Sequence, residues 1–378
     1  MMDWTYSVRP EELPVLEWIW WILTNLLIAA AGLALLAVAL FAAAHYYYRM
    51  KFLDQVVRIF EEKPLFIVPR GKPLPEAEEV LLRTPDGLML RGCYLPTTAT
   101  IRQGVILFGL EFGSNRWAVG QYCLELRDAG YDIFTFEPRN QGESDHDPAY
   151  QPLQWVCDKD LVDLRTAIDY LKRRPDAPTQ GIGLFGISKG GSVGLALAAE
   201  DPWIRCLVTD GAYAAYTTMV PYMRRWVQIY SPYRKLQDLL PSWFYGSIGV
   251  VGISRSAARR GVRYLNLERC MRRLRQPLLM IHGAADAYIK PEMAEALFRK
   301  ARSRMKELWI VPGAKHNQSL HVAGEAYVRR LVGFFHTHLA SLSEKSRDSG
   351  DSPSGQNLAP APGAVGAVNG VAVITRKG

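Results

Sequence analysis

A serine hydroxyl is a poor nucleophile near neutral pH and needs a base within hydrogen-bond reach, with a carboxylate to orient that base. Three segments of this 378-residue chain carry those residue types just past apolar runs. In Gly181-Ile182-Gly183-Leu184-Phe185-Gly186-Ile187-Ser188-Lys189-Gly190-Gly191 an apolar run stops at a serine fenced by glycines, and a small-residue helix follows from Gly190 to Ala199. Gly-x-Ser-x-Gly suits a strand-to-helix turn so tight that the serine takes strained backbone angles, while neighbours without a Cβ let the chain cross itself. Ser188 is therefore the candidate nucleophile. The N-terminus of the following helix aims free N–H groups and its dipole at the same spot, where they would favour an oxyanion. Farther on, Leu278 to Tyr288 ends in a glycine turn that presents Asp286, and Leu308 to Asn317 ends in a Pro-Gly turn that presents His316.

A sheet has to bring such residues to one edge. Mostly apolar runs at Gly104–Phe108, Asp132–Phe136, Ile182–Phe185, Cys206–Thr209, Leu278–His282 and Leu308–Val311 read as strands buried on both faces of a parallel sheet. Helical patterns alternate with them at Arg116–Ala129, Trp155–Arg173, Ser192–Glu200, Pro291–Ala301 and Leu320–Ala340. Ahead of these, Val80–Thr84, the turn triplet Pro85-Asp86-Gly87 and Leu88–Leu95 read as a β-hairpin. The repeated strand–helix order predicts an α/β fold with a doubly wound, mostly parallel sheet.

The order Ser188, Asp286, His316 after successive strands resembles the α/β-hydrolase superfamily from about residue 77 to residue 340. The resemblance implies acyl transfer with Ser188 as nucleophile, His316 as base and Asp286 as its orienting acid, and with no metal or organic cofactor. Asp210, at the end of the preceding strand, is the rival acid. Gly283-x-x-Asp286 followed by Ile289-x-Pro291 favours Asp286. His321, His336 and His338 fall on the last predicted helix, where they cannot follow a strand end. The oxyanion hole would take backbone N–H groups from Lys189 and from the loop after Gly104–Phe108. Most members read His-Gly-x there, whereas this chain reads Phe108-Gly109-Leu110-Glu111-Phe112-Gly113-Ser114-Asn115-Arg116. Counting back from Gly130-Tyr131 puts Leu110-Glu111 on the His-Gly pair and makes Phe112 the donor; matching Gly109 directly makes it Leu110. Phe136 to Asp145 resembles the superfamily's Asp-x-Arg-Gly-x-Gly-x-Ser loop, a structural feature. Residues 212–275 occupy the place of the helical cap insertion. There Tyr213, Tyr216, Met219, Tyr222, Trp226, Trp243 and Phe244 are expected to line a pocket. Twelve arginines and lysines face only Asp238 and Glu268, a surface suited to anionic lipid or to water.

From Trp18 to Ala44 the chain holds no charged residue, long enough for one transmembrane helix. Trp18, Trp20 and Trp21 at one end and Tyr46, Tyr47 and Tyr48 at the other suit the two interfaces. The run is too long, and the preceding residues 1–17 too acidic, for a cleaved signal peptide. Asp3, Glu11, Glu12 and Glu17 precede it with Arg9 alone, and Arg49, Lys51 and Arg58 follow, so the positive-inside rule puts the bulk of the chain in the cytoplasm. Five scattered cysteines fit a reducing compartment. Residues 45–76 read as a juxtamembrane helix and linker, 77–340 as the hydrolase domain, and 341–378, rich in Ser, Gly, Pro and Ala, as a disordered tail.

The expectation is a membrane-anchored serine hydrolase acting on a small-molecule acyl ester, a thioester or a lipid-like substrate. The net charge of +8 lies largely in the cap rather than in a nucleic-acid-binding motif, so no nucleic acid partner is expected. Two other readings stand beside it. One is a peptidase of the same fold, which normally carries a large N-terminal propeller for which the chain leaves no room. The other is a silent membrane scaffold that keeps the fold and uses cap and tail for partners.

Overall fold

The computed structural model describes residues 13–62, 68, 70–230 and 241–340, and of these not the side chains of 13, 14 and 224–230. The expected tail, the first twelve residues, part of the linker, and Arg234, Lys235 and Asp238 of the cap lie outside the described residues, as does the side chain of Trp226. By its contacts the chain divides after Val56 into two units.

The first unit belongs to helix α1 (Leu13–Glu61), which carries the 18–44 run and the juxtamembrane segment without a break. Ala and Leu dominate the apolar part and no proline interrupts it, so nothing in the sequence opposes helix propagation. Residues 15–40 are exposed throughout. The helix is long and apolar enough to cross a membrane.

The second unit is built on eight strands: β1 (Glu78–Arg83), β2 (Met89–Leu95), β3 (Gly104–Gly109), β4 (Tyr131–Phe136), β5 (Ile182–Ile187), β6 (Ile204–Asp210), β7 (Leu278–Gly283) and β8 (Lys306–Val311). They form one sheet in the order β1-β2-β4-β3-β5-β6-β7-β8. β1 and β2 are the predicted antiparallel hairpin, β2 pairs antiparallel with β4, and the other pairs are parallel. Successive residues of one strand serve opposite faces, as the period of two requires. Val105 and Leu107 join Leu184, Leu207 and Met280 in one core, while Ile106 and Phe108 join Phe185, Val208 and Ile281 in the other.

The helices of this unit are α2 (Val119–Tyr122), α3 (Leu124–Asp128), α4 (Asp158–Arg173), α5 (Lys189–Ala198), α6 (Ala215–Tyr230), α7 (Ser242–Arg260), α8 (Leu267–Met271), α9 (Pro291–Lys300), α10 (Ser319–Ala323) and α11 (Glu325–Phe335). Helices α6 to α8, between β6 and β7, form the cap insertion. Several predicted helices change at their ends or break, among them α5, which runs from Lys189 to Ala198 rather than from Ser192 to Glu200. The Arg116–Ala129 pattern becomes a 3₁₀ turn, α2 and α3, with Val119 and Gly120 offering weak helix propensity. The last helix breaks at Gly324, whose φ of 49° and ψ of −123° are open to glycine and unfavourable for side chains. α4 begins at Asp158 rather than Trp155, because the Cys157 N–H donates to the Asp160 carboxylate 2.8 Å away and caps the helix there.

Val57–Glu61, the last turn of α1, packs within this second unit. Phe60 stacks on Trp155 with centroids 4.9 Å apart and planes 4° from parallel, and the Trp155 indole N–H donates to the Phe60 carbonyl at 2.6 Å. Ser256 Oγ on α7 donates to Glu61 Oε1.

Candidate active site

Ser188 stands between β5 and α5 with φ 53° and ψ −118°, a sparsely populated conformation for a residue with a Cβ. Its neighbours explain why the chain can turn there. A Cβ on Gly186 would come 2.5 Å from Gly191 Cα, and one on Gly190 would come 2.3 Å from the Gly109 backbone. The Ser188 N–H is held by the Asp210 carbonyl at 2.7 Å.

His316 lies on the loop after β8, beyond Gly313, whose φ of 74° makes the turn. Its Nε2 is 3.0 Å from Ser188 Oγ, and its Nδ1 is 2.6 Å from Asp286 Oδ2. The other Asp286 oxygen accepts the N–H groups of Tyr288 and Ile289, both at 2.9 Å, so the acid loop folds around its own carboxylate. With Nδ1 donating to that carboxylate, Nε2 is left as the acceptor for the serine hydroxyl. The rival Asp210 is turned elsewhere. It accepts from Ser319 Oγ at 2.8 Å and Tyr327 OH at 3.2 Å, and burial pushes its carboxyl up to about 6.

The loop after β3 lies directly on the elbow, since Gly190 touches Gly109 and the Leu110 carbonyl. Among the described residues no acceptor takes the Phe112 N–H. The Lys189 N–H falls in the first turn of α5, where a helix has no internal acceptor. The Lys189 side chain is buried: Nζ meets Asp160 Oδ1 at 2.8 Å, donates to the Leu153 carbonyl at 2.8 Å, and lies 5.5 Å from the Phe112 ring centroid. A cavity of about 40 Å³ beneath this loop is lined by Leu110, Phe112, Asp160, Lys189 and Gly190 among others but not by Ser188. It has room for roughly one to three waters.

A model of the family described as Serine aminopeptidase, S33 matches residues 103–320, more than half of the chain. The chain belongs to this family of α/β-hydrolases. The protein named alpha/beta hydrolase domain-containing protein WAV2, from Arabidopsis thaliana, is 22% identical over 77% of this chain and 92% of its own length. Thiohydrolase aneE from Aspergillus aculeatus is 30% identical over a shorter stretch, 35% of this chain and 40% of its own. The Pyrococcus furiosus esterase Pf2001 superposes with a TM-score of 0.54 at 22% identity, covering 74% of this chain and 97% of that one. At that identity the likeness is one of fold.

Around the site, the α/β-hydrolase frame uses residues that sequence reasoning placed only in part. Arg139, in the loop that resembles Asp-x-Arg-Gly-x-Gly-x-Ser, is fully buried and grips Asp163 on α4 and Asp86 in the hairpin turn, which ties the two together. His282, at the end of β7, holds the Ile289 carbonyl at 2.6 Å, with burial keeping its pKa below the usual imidazole range. The sequence assigned no contact to the side chains of Gln141, Asp160, Glu111 and Asn317, which the structure places around the site. Asp160 had a signal, its place three residues after a cap. So did Glu111, a carboxylate that counting back from Gly130-Tyr131 puts in the place of the family's glycine.

The described cap residues range from buried to exposed. Tyr213 and Met219 are buried, with the Tyr213 ring 6.4 Å from that of His316. Trp243 is 60% exposed, and Phe244 is wholly buried, its ring centroid 5.6 Å from that of Tyr245. Tyr222 reaches across and donates to the carbonyls of Ala287 and Tyr288 on the acid loop. All five cysteines are free and buried. Among the described residues no cluster of His, Cys, Asp and Glu is arranged to hold a metal ion.

Proposed function

We propose that this protein is a membrane-anchored serine hydrolase that cleaves an ester or thioester through an acyl-enzyme. The observation that carries the reading is the continuous pair of contacts from Ser188 Oγ to His316 Nε2 and from His316 Nδ1 to Asp286, 3.0 and 2.6 Å long. Ser188 Oγ attacks the carbonyl carbon as its proton passes to His316 Nε2, and the carbonyl oxygen becomes an oxyanion facing the Phe112 and Lys189 N–H groups. Collapse breaks the bond to the leaving alcohol or thiol, which takes the proton from His316. Water then attacks the acyl-serine with His316 again as base, releasing the acid and restoring the hydroxyl. Asp286 stays ionised throughout and steadies the imidazolium.

The family's description as serine aminopeptidase favours a second reading, in which the bond is an amide. The two part on leaving group, and the short stretch shared with a protein named thiohydrolase weighs towards ester or thioester. Full-length protein in detergent, incubated with a fluorophosphonate probe and then with p-nitrophenyl esters of increasing chain length, acyl thioesters and aminoacyl p-nitroanilides, tests both. Probe labelling with ester or thioester turnover is the expected result. Turnover of the anilides alone would move the assignment to peptidase, and absence of labelling and of all turnover would leave a silent scaffold. Residues 18–44 would tether the enzyme to a bilayer, with the catalytic unit in the cytoplasm by the charge asymmetry around the span.

A further inference from the structure

Counting back from Gly130-Tyr131 puts Glu111 where the superfamily carries glycine, and the structure gives this glutamate a place. It is 4% exposed, and its Oε2 accepts a bond of 2.5 Å from Asn317 Nδ2, the side chain next to His316. Asn317 takes a φ of 56°, in the left-handed region that asparagine tolerates better than most residues. The groups facing the Glu111 carboxyl are Tyr122 from α2, Asp210 from the end of β6, and His316 and Asn317 from the loop after β8. Gln141 holds the main chain of the same loop. Its Nε2 donates to the Glu111 carbonyl at 3.0 Å and the Ser114 carbonyl at 2.9 Å, and its Oε1 accepts from the Gly113 N–H at 3.2 Å. Phe112 therefore sits in a segment fixed at its main chain by Gln141 and at its side chain by Asn317.

We propose that Glu111 is a positioning residue: clasped to Asn317, it locks the loop bearing the Phe112 N–H to the loop bearing His316, so that oxyanion donor and base keep one spacing. This rests on the hydrolase reading above. The charge state of the clasp should matter, because burial pushes the Glu111 carboxyl up to about 7. The ionised form is the stronger acceptor for Asn317 and would steady the imidazolium that forms on His316 during turnover. Turnover that depends on the clasp therefore rises as pH passes upward through about 7.

The test uses the full-length protein in detergent as wild type, Glu111→Gln, Glu111→Ala, Asn317→Ala and the double alanine variant. Four quantities are read: the rate of fluorophosphonate labelling, kcat and KM for the best p-nitrophenyl ester, and amide hydrogen exchange over residues 110–114. A hydrogen bond to a charged group corresponds to a loss of about 10- to 100-fold, so each single alanine variant should drop by that factor in kcat with KM nearly unchanged. The double variant should be no worse than either single one. Glu111→Gln keeps an acceptor without the charge, so it should match wild type at pH 6 and fall behind as pH rises through 7. Additive losses in the double variant, Glu111→Gln as impaired as Glu111→Ala at every pH, or Glu111→Ala within twofold of wild type would each overturn the clasp. If Glu111→Ala does not fold, Glu111→Gln and Asn317→Ala carry the comparison. If the wild type neither labels nor turns over, the hydrolase reading fails by itself, and exchange still decides the clasp: faster exchange in Asn317→Ala supports it, unchanged exchange sinks it.

Discussion

Holding Ser188 at φ 53° costs roughly 1–3 kcal/mol, a strain that the glycine crossing and the Asp210 carbonyl maintain in the folded chain. Ser188→Ala removes the hydroxyl and leaves this frame intact. It should abolish probe labelling and lower ester turnover by several orders of magnitude at unchanged melting temperature; full turnover in that variant would remove the serine from the chemistry. The two carboxylates separate as cleanly. Asp286→Asn leaves His316 without the partner that sets its tautomer and should lose on the order of a thousandfold or more in kcat, whereas Asp210→Asn, which exchanges one of the two oxygens accepting from Ser319 and Tyr327 for an amide NH2 and does not touch His316, should lose far less. Asp210 instead should show in stability. Its folded pKa of about 6 lies above the ordinary 3.8, so the stabilisation it contributes is complete below about pH 4 and is lost as pH rises through 6. Denaturant midpoints measured from pH 4 to 7 should therefore fall more in wild type than in Asp210→Asn. At this scale the sequence was legible wherever the signal was local. Ser188, Asp286 and His316 each follow an apolar run and a glycine turn, but the Glu111–Asn317 bond spans 206 positions, and no short window contains both ends.

The elements are legible for a similar reason and fail at their ends. Among the described residues all eight strands stand where apolar runs, or the hairpin signal, put them: β3 to β7 are largely buried on both faces and leave that composition in five or six consecutive residues, whereas β8, expected to be buried likewise, is an edge strand and only partly buried. The breaks at Cys123 and Gly324 depend on what each helix packs against, which periodicity does not carry. Glycines at element junctions give a prediction with its own control. In Gly190→Ala the new methyl would meet Gly109 and the Leu110 carbonyl at 2.3 to 2.5 Å, backbone that cannot yield, so overpacking should cost about 1–3 kcal/mol or more and push the Phe112 loop off the elbow. Gly333 in α11 is exposed with no atom within 4 Å of a built Cβ, so Gly333→Ala should be neutral or stabilising by about 0.5–1 kcal/mol. Thermal unfolding of the two variants, with labelling rate as the second readout, checks the contrast; equal melting temperatures would mean that the elbow is looser than its glycines imply.

At the scale of the whole molecule, the chain has a boundary between the N-terminal apolar helix and the α/β-hydrolase unit. The sequence alone puts that boundary near residue 76, after a linker containing several prolines. The packing moves it upstream, because Phe60 is buried against Trp155 and Tyr264 and its carbonyl takes the Trp155 indole N–H. A chain beginning at Val57 keeps that contact, whereas one beginning at Lys72 leaves Trp155 facing water. Losing a buried phenylalanine costs about 3–5 kcal/mol, so the shorter chain should melt several degrees lower and aggregate more readily. Equal melting temperatures would return the boundary to the linker. Orientation is separable from this. With acidic residues before the 18–44 span and Arg49, Lys51 and Arg58 after it, a reporter active only in the cytoplasm and fused after Ala340 should be active, and one active only outside should be silent. Adding lysines before Trp18 while neutralising Arg49 and Lys51 should reduce or reverse that pattern, and if the reporters do not respond, flanking charge does not set the topology of this chain.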